Sequence, residues 1–299
     1  IVIKGVQKGI ERASKIMMPT LFIILIALII YSLTLPSAMA GVQFYLLPDF
    51  SEITIETLYS AMGQAFFSLS LGMGALITYG SYVDKNQNVL RSAATITALD
   101  IAVAFLAGLL IFPLVFSQGQ KPDEGPALVF IVLPGIFQAM GPVLGKLVGG
   151  GFFLLLCFAA LTSTISLLEV PVAYFVDQKK IPRKTSVWAL ATLVFILGLP
   201  SMLSQGAVKM FSSLPFYNGK SALDFVSEVF SDISLPLGGC LMTYFIATRW
   251  GTKNMSEELA HGNPLYKGSF YERYINFTIR YICPVLLDIF SIMIIIDKF

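Results

Sequence analysis

The sequence predicts an all-α membrane protein, a polytopic bundle of apolar helices. Three observations support this: 56% of the 299 residues are hydrophobic, only 13% are charged, and the mean hydropathy is +0.78. Such a composition excludes a soluble globular domain. The formal net charge is +2, and the basic residues are spread over many short loops. No nucleic-acid partner is therefore expected, and membrane lipid is the expected surrounding.

Seven apolar stretches are long enough, or nearly so, for the roughly 20 residues that a membrane-spanning helix needs. We place the spans at residues 16–34, 61–82, 92–116, 147–175, 185–203, 221–248 and 274–296 of one transmembrane domain. The connector 117–145 contains four prolines but is too apolar for a solvated loop. We predict that it forms two short helices that fold back onto the protein as an extracellular lid.

The distribution of basic residues predicts the orientation of these spans. If residues 1–15 lie in the cytoplasm and the spans alternate, fifteen of the 20 Lys and Arg residues lie inside and five outside. Cytoplasmic loops of membrane proteins carry such an excess. The count supports seven spans with the first end cytoplasmic.

The second span, 61–82, is predicted to be an interrupted helix. Its middle places two hydroxyls and two glycines within seven residues, at Ser68, Ser70, Gly72 and Gly74. Glycine costs a helix ~1 kcal/mol relative to alanine, and serine competes for backbone hydrogen bonds. In lipid, freed backbone groups are tolerated only when they are buried in protein or line a polar cavity. The pattern indicates either a polar site or close helix packing, which small residues also permit.

Asp100 is the one charged residue within the third span. It lies nine residues beyond Arg91, which places it roughly 14 Å into the membrane at ~1.5 Å per residue. Gly74 lies ten residues from Asp84, and so at a similar depth. A carboxylate there costs ~2.5–3.5 kcal/mol on insertion scales, so it needs a partner or a cavity. A protonated Asp100 bonded to a neighbouring helix is the alternative.

A set of oxygen atoms is predicted on the fourth span. Ala159, Thr162 and Ser163 stand at i, i+3 and i+4 and therefore share one helix face. The two hydroxyls, with a backbone carbonyl freed by their back-bonding, would suit a hard cation such as Na⁺. The same triplet also occurs as ordinary helix packing.

Other charges in apolar segments leave their roles open. Glu169 is either a gate residue on the cytoplasmic side or a partner of a neighbouring helix. Asp224, Glu228 and Asp232 form an acidic stripe that either lines an outer vestibule or is a solvated helix end. Asp288 serves either packing or function.

These segments resemble the neurotransmitter:sodium symporters, specifically their bacterial sodium-dependent amino-acid transporters. The strongest match is GQAFFSLSLGMG at 63–74, continuing to TYGSY at 78–82. Further matches in the family's order are KIMMP at 15–19, FAALTS at 158–163 and RYICP at 280–284. The resemblance covers the whole chain.

The resemblance implies an inverted-repeat sodium symporter fold with two five-helix repeats. Broken helices are a general feature of such folds. This chain would begin at the fifth helix and end with the eleventh. The first four helices are expected to be absent from it, and these N-terminal helices of the same protein would be its partner.

The resemblance also implies roles for individual residues. It assigns substrate binding to Phe67, Ser68, Ser70, Met73 and Leu167. Ser68 and Asp100 would bind one sodium ion together with the substrate carboxylate and the first helix, and Ala159, Thr162 and Ser163 would form half of a second sodium site. Gln64 and Asp224 resemble outer-gate positions, with Asp224 the partner of an arginine outside this chain.

The implied function is sodium-coupled symport of a small neutral, hydrophobic amino acid across a bacterial cytoplasmic membrane. The carboxylate of Asp100 would replace the charge of chloride, so chloride is not expected to be required. A partner-dependent or degenerate half-transporter is the alternative. An intramembrane enzyme is disfavoured, because the spans contain no histidine and the chain has no His-Glu-x-x-His or Gly-x-Ser-x-Gly motif.

Overall fold

The computed structural model describes residues 1–117, 119, 128–204 and 208–298, and these form helices and no strand. The predicted all-α fold is confirmed. The contacts divide the chain into two compact units. The first unit comprises Ile1–Glu52 and Ala98–Leu167, and the second comprises Ile53–Thr97 and Leu168–Phe299.

The described helices are numbered in chain order. They are α1 (Val6–Leu33), α2 (Ala38–Leu46), α3 (Ile55–Ser68), α4 (Ala75–Gly80), α5 (Val89–Ser117), α6 (Leu128–Ala139), α7 (Leu144–Asp177), α8 (Arg183–Leu203), α9 (Lys209–Ser212), α10 (Ala222–Trp250), α11 (Thr252–Ala260) and α12 (Phe270–Ile296). Single 3₁₀ turns form at Val2–Lys4 and Phe50–Glu52.

Six of these helices, with 21 to 34 residues each, are long and apolar enough to cross a membrane: α1, α5, α7, α8, α10 and α12. They overlap six of the seven predicted spans. The remaining predicted span, 61–82, is divided between α3 and α4. The ends at which these segments enter and leave the membrane stay predictions.

The first unit has one apolar core. It is built from α1, α6, and the parts of α5 and α7 that belong to this unit. Its fully buried members include Leu25, Leu114, Val115 and Leu133. The α2 helix packs on α5 through Tyr45, whose ring stacks on that of Phe112 at 5.0 Å between centroids.

The predicted lid falls partly outside the described residues, which omit 118 and 120–127. Its described half is one helix, α6, rather than two separate pieces. Ile136 and Phe137 are buried in the core of the first unit. This packing anchors the segment, and its role as a lid stays a prediction.

The second unit contains α3, α4 and α8 to α12, with the C-terminal part of α7. Within it α10 packs along α12, and α3 contacts both. One contact joins the rings of Phe66 on α3 and Phe290 on α12, 6.0 Å apart.

Three of the helices contain a wide π-helical turn just before a proline. The turns are Leu128–Val132, Glu228–Ile233 and Thr278–Ile282, and Pro134, Pro236 and Pro284 follow within three residues. A proline has no N–H for the carbonyl four residues earlier, and wider turns are one way to accommodate this. In α10, the Ser234 hydroxyl donates to the Val229 carbonyl at 2.7 Å.

Candidate functional site

The interrupted helix is confirmed. Helix α3 ends at Ser68 and α4 begins at Ala75, with residues 69–74 between them. Ser70, Gly72 and Gly74 have positive φ angles of 54°, 80° and 77°. Glycine adopts this left-handed region without steric cost, whereas a serine there is strained. These three residues turn the chain out of the helical path and back into it.

The break has a half-helix on each side. The first half-helix, α3, starts well before the break, and the second, α4, starts at its end. The α3 helix begins at Ile55, because Thr54 and Thr57 form a reciprocal cap: the Thr57 N–H donates to the Thr54 hydroxyl at 3.2 Å. Gly74 precedes α4, and its carbonyl accepts the Thr78 N–H at 2.9 Å and the Thr78 hydroxyl at 3.0 Å. A helix end leaves its terminal backbone groups outside the helical ladder, where a ligand can use them.

A cavity of about 370 Å³ lies beside the first half-helix, entirely within the second unit. It is lined by two predicted site residues, Gln64 and Phe67, together with α10 residues that include Ser231 and Asp232. Phe67 is 53% exposed. Ser70 and Met73 are half-buried in the break itself, and Ser68 is exposed at the end of α3.

The predicted cation face of α7 has its expected back-bonding. The Thr162 hydroxyl donates to the Ala159 carbonyl at 2.8 Å, and the Ser166 hydroxyl donates to the Thr162 carbonyl at 3.0 Å. Thr162 is buried and Ser163 is exposed. Leu167, one turn beyond Ser163, is 44% exposed. All of these residues belong to the first unit.

Asp100 is half-buried on α5, also in the first unit. Ser68, with which it is predicted to share a sodium ion, lies in the second unit. Sodium binding by this pair and by the α7 face stays a prediction.

The acidic stripe of α10 separates into three different environments. Asp224 caps its own helix: its N–H donates to the Ser221 hydroxyl at 3.1 Å, and its carboxylate accepts the Ser221 N–H at 3.0 Å. Aspartate therefore completes the reciprocal cap that glutamate or glutamine usually provides. Asp232 lines the cavity beside α3. The stripe is neither wholly a vestibule wall nor merely a solvated helix end.

The third member of the stripe, Glu228, joins the preceding loop to α10. It accepts hydrogen bonds from Lys220 Nζ at 2.9 and 3.0 Å and from the Tyr217 hydroxyl. The hydrogen bond to Glu228, with burial and the neighbouring carboxylates, raises the pKa of Tyr217 to about 12. Glu228 therefore ties Tyr217 and Lys220 of the preceding loop to the first turns of α10.

Glu169 has a partner on each of two other elements of the second unit. Its side chain is fully buried, accepts a hydrogen bond from the Tyr82 hydroxyl at 3.2 Å, and pairs with Arg183 at the start of α8. The sequence singles out Glu169 as a charge in an apolar helix, but it predicts neither partner. Tyr82, for example, lies 87 residues away along the chain. The only sequence signal was the charge of Glu169 in an apolar helix.

Asp288 on α12 likewise joins two helices. Its carboxylate lies 2.9 Å from Cys240 Sγ and accepts the Tyr244 hydroxyl at 2.6 Å, both residues being on α10. The two α10 residues stand at i and i+4 and so share one face. These contacts show a packing role for Asp288.

Apolar helices of spanning length together with an interrupted helix are typical of multi-pass membrane transport proteins, in which broken helices are a general feature. The chain belongs to the Sodium:neurotransmitter symporter family, whose sequence profile matches residues 1–297. It is therefore a multi-pass membrane protein chain from a family of transporters, not of enzymes.

Sequence relatives come from bacteria, an archaeon and animals. The chain is 42% identical over 291 residues to an uncharacterized sodium-dependent transporter of Bacillus subtilis, covering 97% of this chain and 62% of that protein. It is 32% identical over 236 residues to the sodium-dependent serotonin transporter of Drosophila melanogaster, covering 73% of this chain and 37% of that protein.

A solved structure confirms the predicted sodium-symporter fold. The crystal structure of MhsT in complex with L-phenylalanine matches this chain with a TM-score of 0.84 and 42% identity. The match covers 100% of this chain and 65% of the MhsT chain. The chain thus spans less than two thirds of the length of MhsT and of the Bacillus relative.

Proposed function

We propose that the protein encoded by this gene is a sodium-coupled symporter of neutral, hydrophobic amino acids. The observation that carries this proposal is the break at residues 69–74, where Ser70 and Met73 sit between two helix ends and Phe67 lines the adjoining cavity. Helix ends supply backbone groups for the polar ends of a substrate, and the apolar side chains provide room for its side chain.

The proposed specificity follows from the residues that the resemblance assigns to substrate binding. Phe67, Met73 and Leu167 are apolar, and Ser68 and Ser70 offer hydroxyls only. A charged substrate side chain would be left without a counter-charge from these residues, which is costly in a water-poor site. Methionine is flexible and polarizable, so we expect tolerance among apolar substrates. The binding of phenylalanine by MhsT supports this class of substrate.

Two sodium sites are part of the proposal. Ser68 and Asp100 would contribute to one, and Ala159, Thr162 and Ser163 would contribute to the other. Their oxygen atoms are the hard ligands that alkali cations prefer. The back-bonded Thr162 hydroxyl already lies against the Ala159 carbonyl, so two such oxygens are adjacent on α7. The names of the relatives, which call them sodium-dependent, support the choice of cation.

Chloride independence is proposed from the fixed charge of Asp100. Some animal relatives are named as sodium- and chloride-dependent transporters. A carboxylate at position 100 would supply permanently the negative charge that a bound anion supplies. Gln64, on the cavity wall, and Asp224, at the start of α10, are proposed as outer-gate residues.

The test is uptake of radiolabelled amino acids by vesicles that contain the protein as expressed in full from its gene, here called the gene-encoded protein. We expect uptake of leucine, phenylalanine or tryptophan when a sodium gradient is applied, and none when potassium replaces sodium. Lysine and glutamate should compete poorly. Vesicles without the protein are the control. Preference for charged amino acids would refute the pocket assignment, and uptake without sodium would refute the coupling.

A further inference from the structure

We infer that two adjacent glycines of α10, Gly238 and Gly239, are positioning residues that set the place of the break. This inference rests on the proposed function, because the break is where we propose that substrate binds. Gly238 acts by contact with the backbone of Gly72. Gly239 acts by contact with the ring of Phe66, which precedes the proposed substrate residue Phe67.

Gly238 and Gly72 meet backbone to backbone. A Cβ atom added to Gly238 would lie 2.7 Å from the Gly72 carbonyl oxygen and 3.3 Å from its Cα. A Cβ atom added to Gly72 would lie 2.2 Å from the Leu235 carbonyl oxygen and 3.2 Å from the Gly239 nitrogen. Separations under 3.0 Å essentially do not occur for real Cβ atoms. Both sides of the contact therefore require glycine.

This contact cannot be relieved by a change of side-chain rotamer, because the atoms on both sides belong to the backbone. A methyl group at position 238 must displace either α10 or the break. The α10 helix is held along its length by α12, through packing and through the Asp288 contacts. The break has no continuous helical ladder, so it is the weaker partner and the one that we expect to move.

Gly239 makes a contact that can yield more easily. An added Cβ would lie 2.6 Å from Cε1 of Phe66, an atom at the far end of a side chain. The Phe66 ring also packs against Phe290, at 6.0 Å between centroids. Rotation of the ring would relieve the clash at the expense of this packing. The effect of a methyl group at 239 should therefore be smaller than that at 238.

The functional consequence follows from the location of Gly72. It stands between Ser70 and Met73, and it is the central one of the three residues with positive φ. A displacement of its carbonyl would move the two helix ends relative to each other. The function of a site is sensitive to shifts of this kind: in enzymes, a misplacement of about 1 Å can lower the reaction rate ~100-fold. We expect weaker binding of substrate and sodium together.

The first experiment compares Gly238→Ala with two matched controls in the gene-encoded protein. The controls are Gly198→Ala on α8 and Gly150→Ala on α7, where the added Cβ would meet no described atom within 4 Å apart from its chain neighbours and its own helix backbone. We expect Gly238→Ala to raise the KM for both amino acid and sodium on the order of tenfold. Both controls should stay within about twofold of the parent protein.

A second readout does not depend on transport. Hydrogen–deuterium exchange of the peptide covering residues 69–74 should accelerate in Gly238→Ala and not in the two controls. If the parent protein shows no sodium-dependent uptake but the exchange changes as expected, the proposed function fails and the positioning inference stands. Unchanged KM values together with unchanged exchange in Gly238→Ala would overturn the inference.

A second variant decides the matter if Gly238→Ala does not fold. Gly239→Ala should raise the KM for substrate less than tenfold, and Phe66→Leu in the same chain should restore it by removing the ring that the methyl meets. A purely structural defect would not be rescued by shortening Phe66. Failure of rescue, with both variants folded, would refute the role of Gly239 and with it the inference.

Discussion

Asp100 lies near the middle of a helix of 29 residues, α5, whose neighbouring positions are apolar. It is half-buried rather than turned fully outward. Its depth in the membrane stays a prediction, based on its distance along the chain from Arg91. Its proposed partner in a sodium site, Ser68, came from the family resemblance rather than from spacing, and that pairing stays a prediction.

We predict that Asp100→Asn in the gene-encoded protein weakens sodium activation of uptake, or makes uptake depend on chloride. Loss of the charge is expected to cost on the order of 1–3 kcal/mol, about 5- to 150-fold in sodium affinity. The measurement is uptake against sodium concentration, with and without chloride. Asp84→Asn, which removes an exposed loop carboxylate, is the control. Unchanged dependence on both ions would return Asp100 to a packing role.

Glu169 is fully buried, and its charge is compensated by Arg183, whose side chain is 23% exposed. We predict that Arg183→Ala lowers the free energy of unfolding by about 3–5 kcal/mol, because it leaves a buried carboxylate without its cation. Lys184→Ala, which removes the neighbouring exposed charge, should change it by less than about 0.5 kcal/mol.

Chemical denaturation in detergent micelles measures the difference between the Arg183 and Lys184 variants. Equal stability of the two would mean that water or another group compensates Glu169 when Arg183 is removed. Tyr82→Phe should have an intermediate effect, because it removes one hydrogen bond to the charged carboxylate, worth about 1.5–3 kcal/mol.

The break between α3 and α4 was predictable at the scale of the helix, because glycine and serine act locally on the backbone. The start of α3 was harder to predict. The reciprocal cap of Thr54 and Thr57 begins the helix at Ile55, six residues before the predicted span. One of the three environments in the acidic stripe was also set by nearby residues. Asp224 caps α10 through Ser221, which lies only three residues away.

We predict the topology of the loops between the helices. Single cysteines at Asn86, Lys180 and Asn254, in a chain whose native cysteines are replaced by alanine, should react with a membrane-impermeant maleimide only from the cytoplasmic side. A cysteine at Asn218 should react only from outside. This follows from the excess of basic residues in the loops that we place inside.

A membrane-permeant maleimide, which should label every site, controls for accessibility in the topology experiment. Labelling of Asn86 and Lys180 from opposite sides would exclude the predicted path of the chain, since two spans, α5 and α7, lie between them.

At the scale of the whole molecule, the chain spans 62% of the length of the Bacillus relative and 65% of MhsT. The resemblance places the facing half of each proposed sodium site in helices outside these 299 residues. The two units of the chain therefore carry only part of the proposed machinery.

We predict that residues 1–299 expressed alone do not catalyse sodium-dependent uptake of leucine or tryptophan, whereas the longer form that the relatives suggest does. The physical reason is that half of the cation ligands and one wall of the substrate site would be missing. Uptake in vesicles, with the two forms compared at equal expression, is the measurement. Robust uptake by the 299 residues alone would show that the binding residues have been misplaced, and would exclude a partner-dependent half-transporter.

The sequence by itself determined the all-α membrane class, the interrupted helix and the family, because hydropathy, glycine content and segment motifs are properties of contiguous residues. Only the tertiary structure decided which distant groups meet: Glu169 with Tyr82 and Arg183, Asp288 with Cys240 and Tyr244, and Gly238 with Gly72. These contacts depend on how helices pack, and a burial pattern along one helix does not specify its neighbour. A glycine required by another backbone looks the same in sequence as one that faces open space.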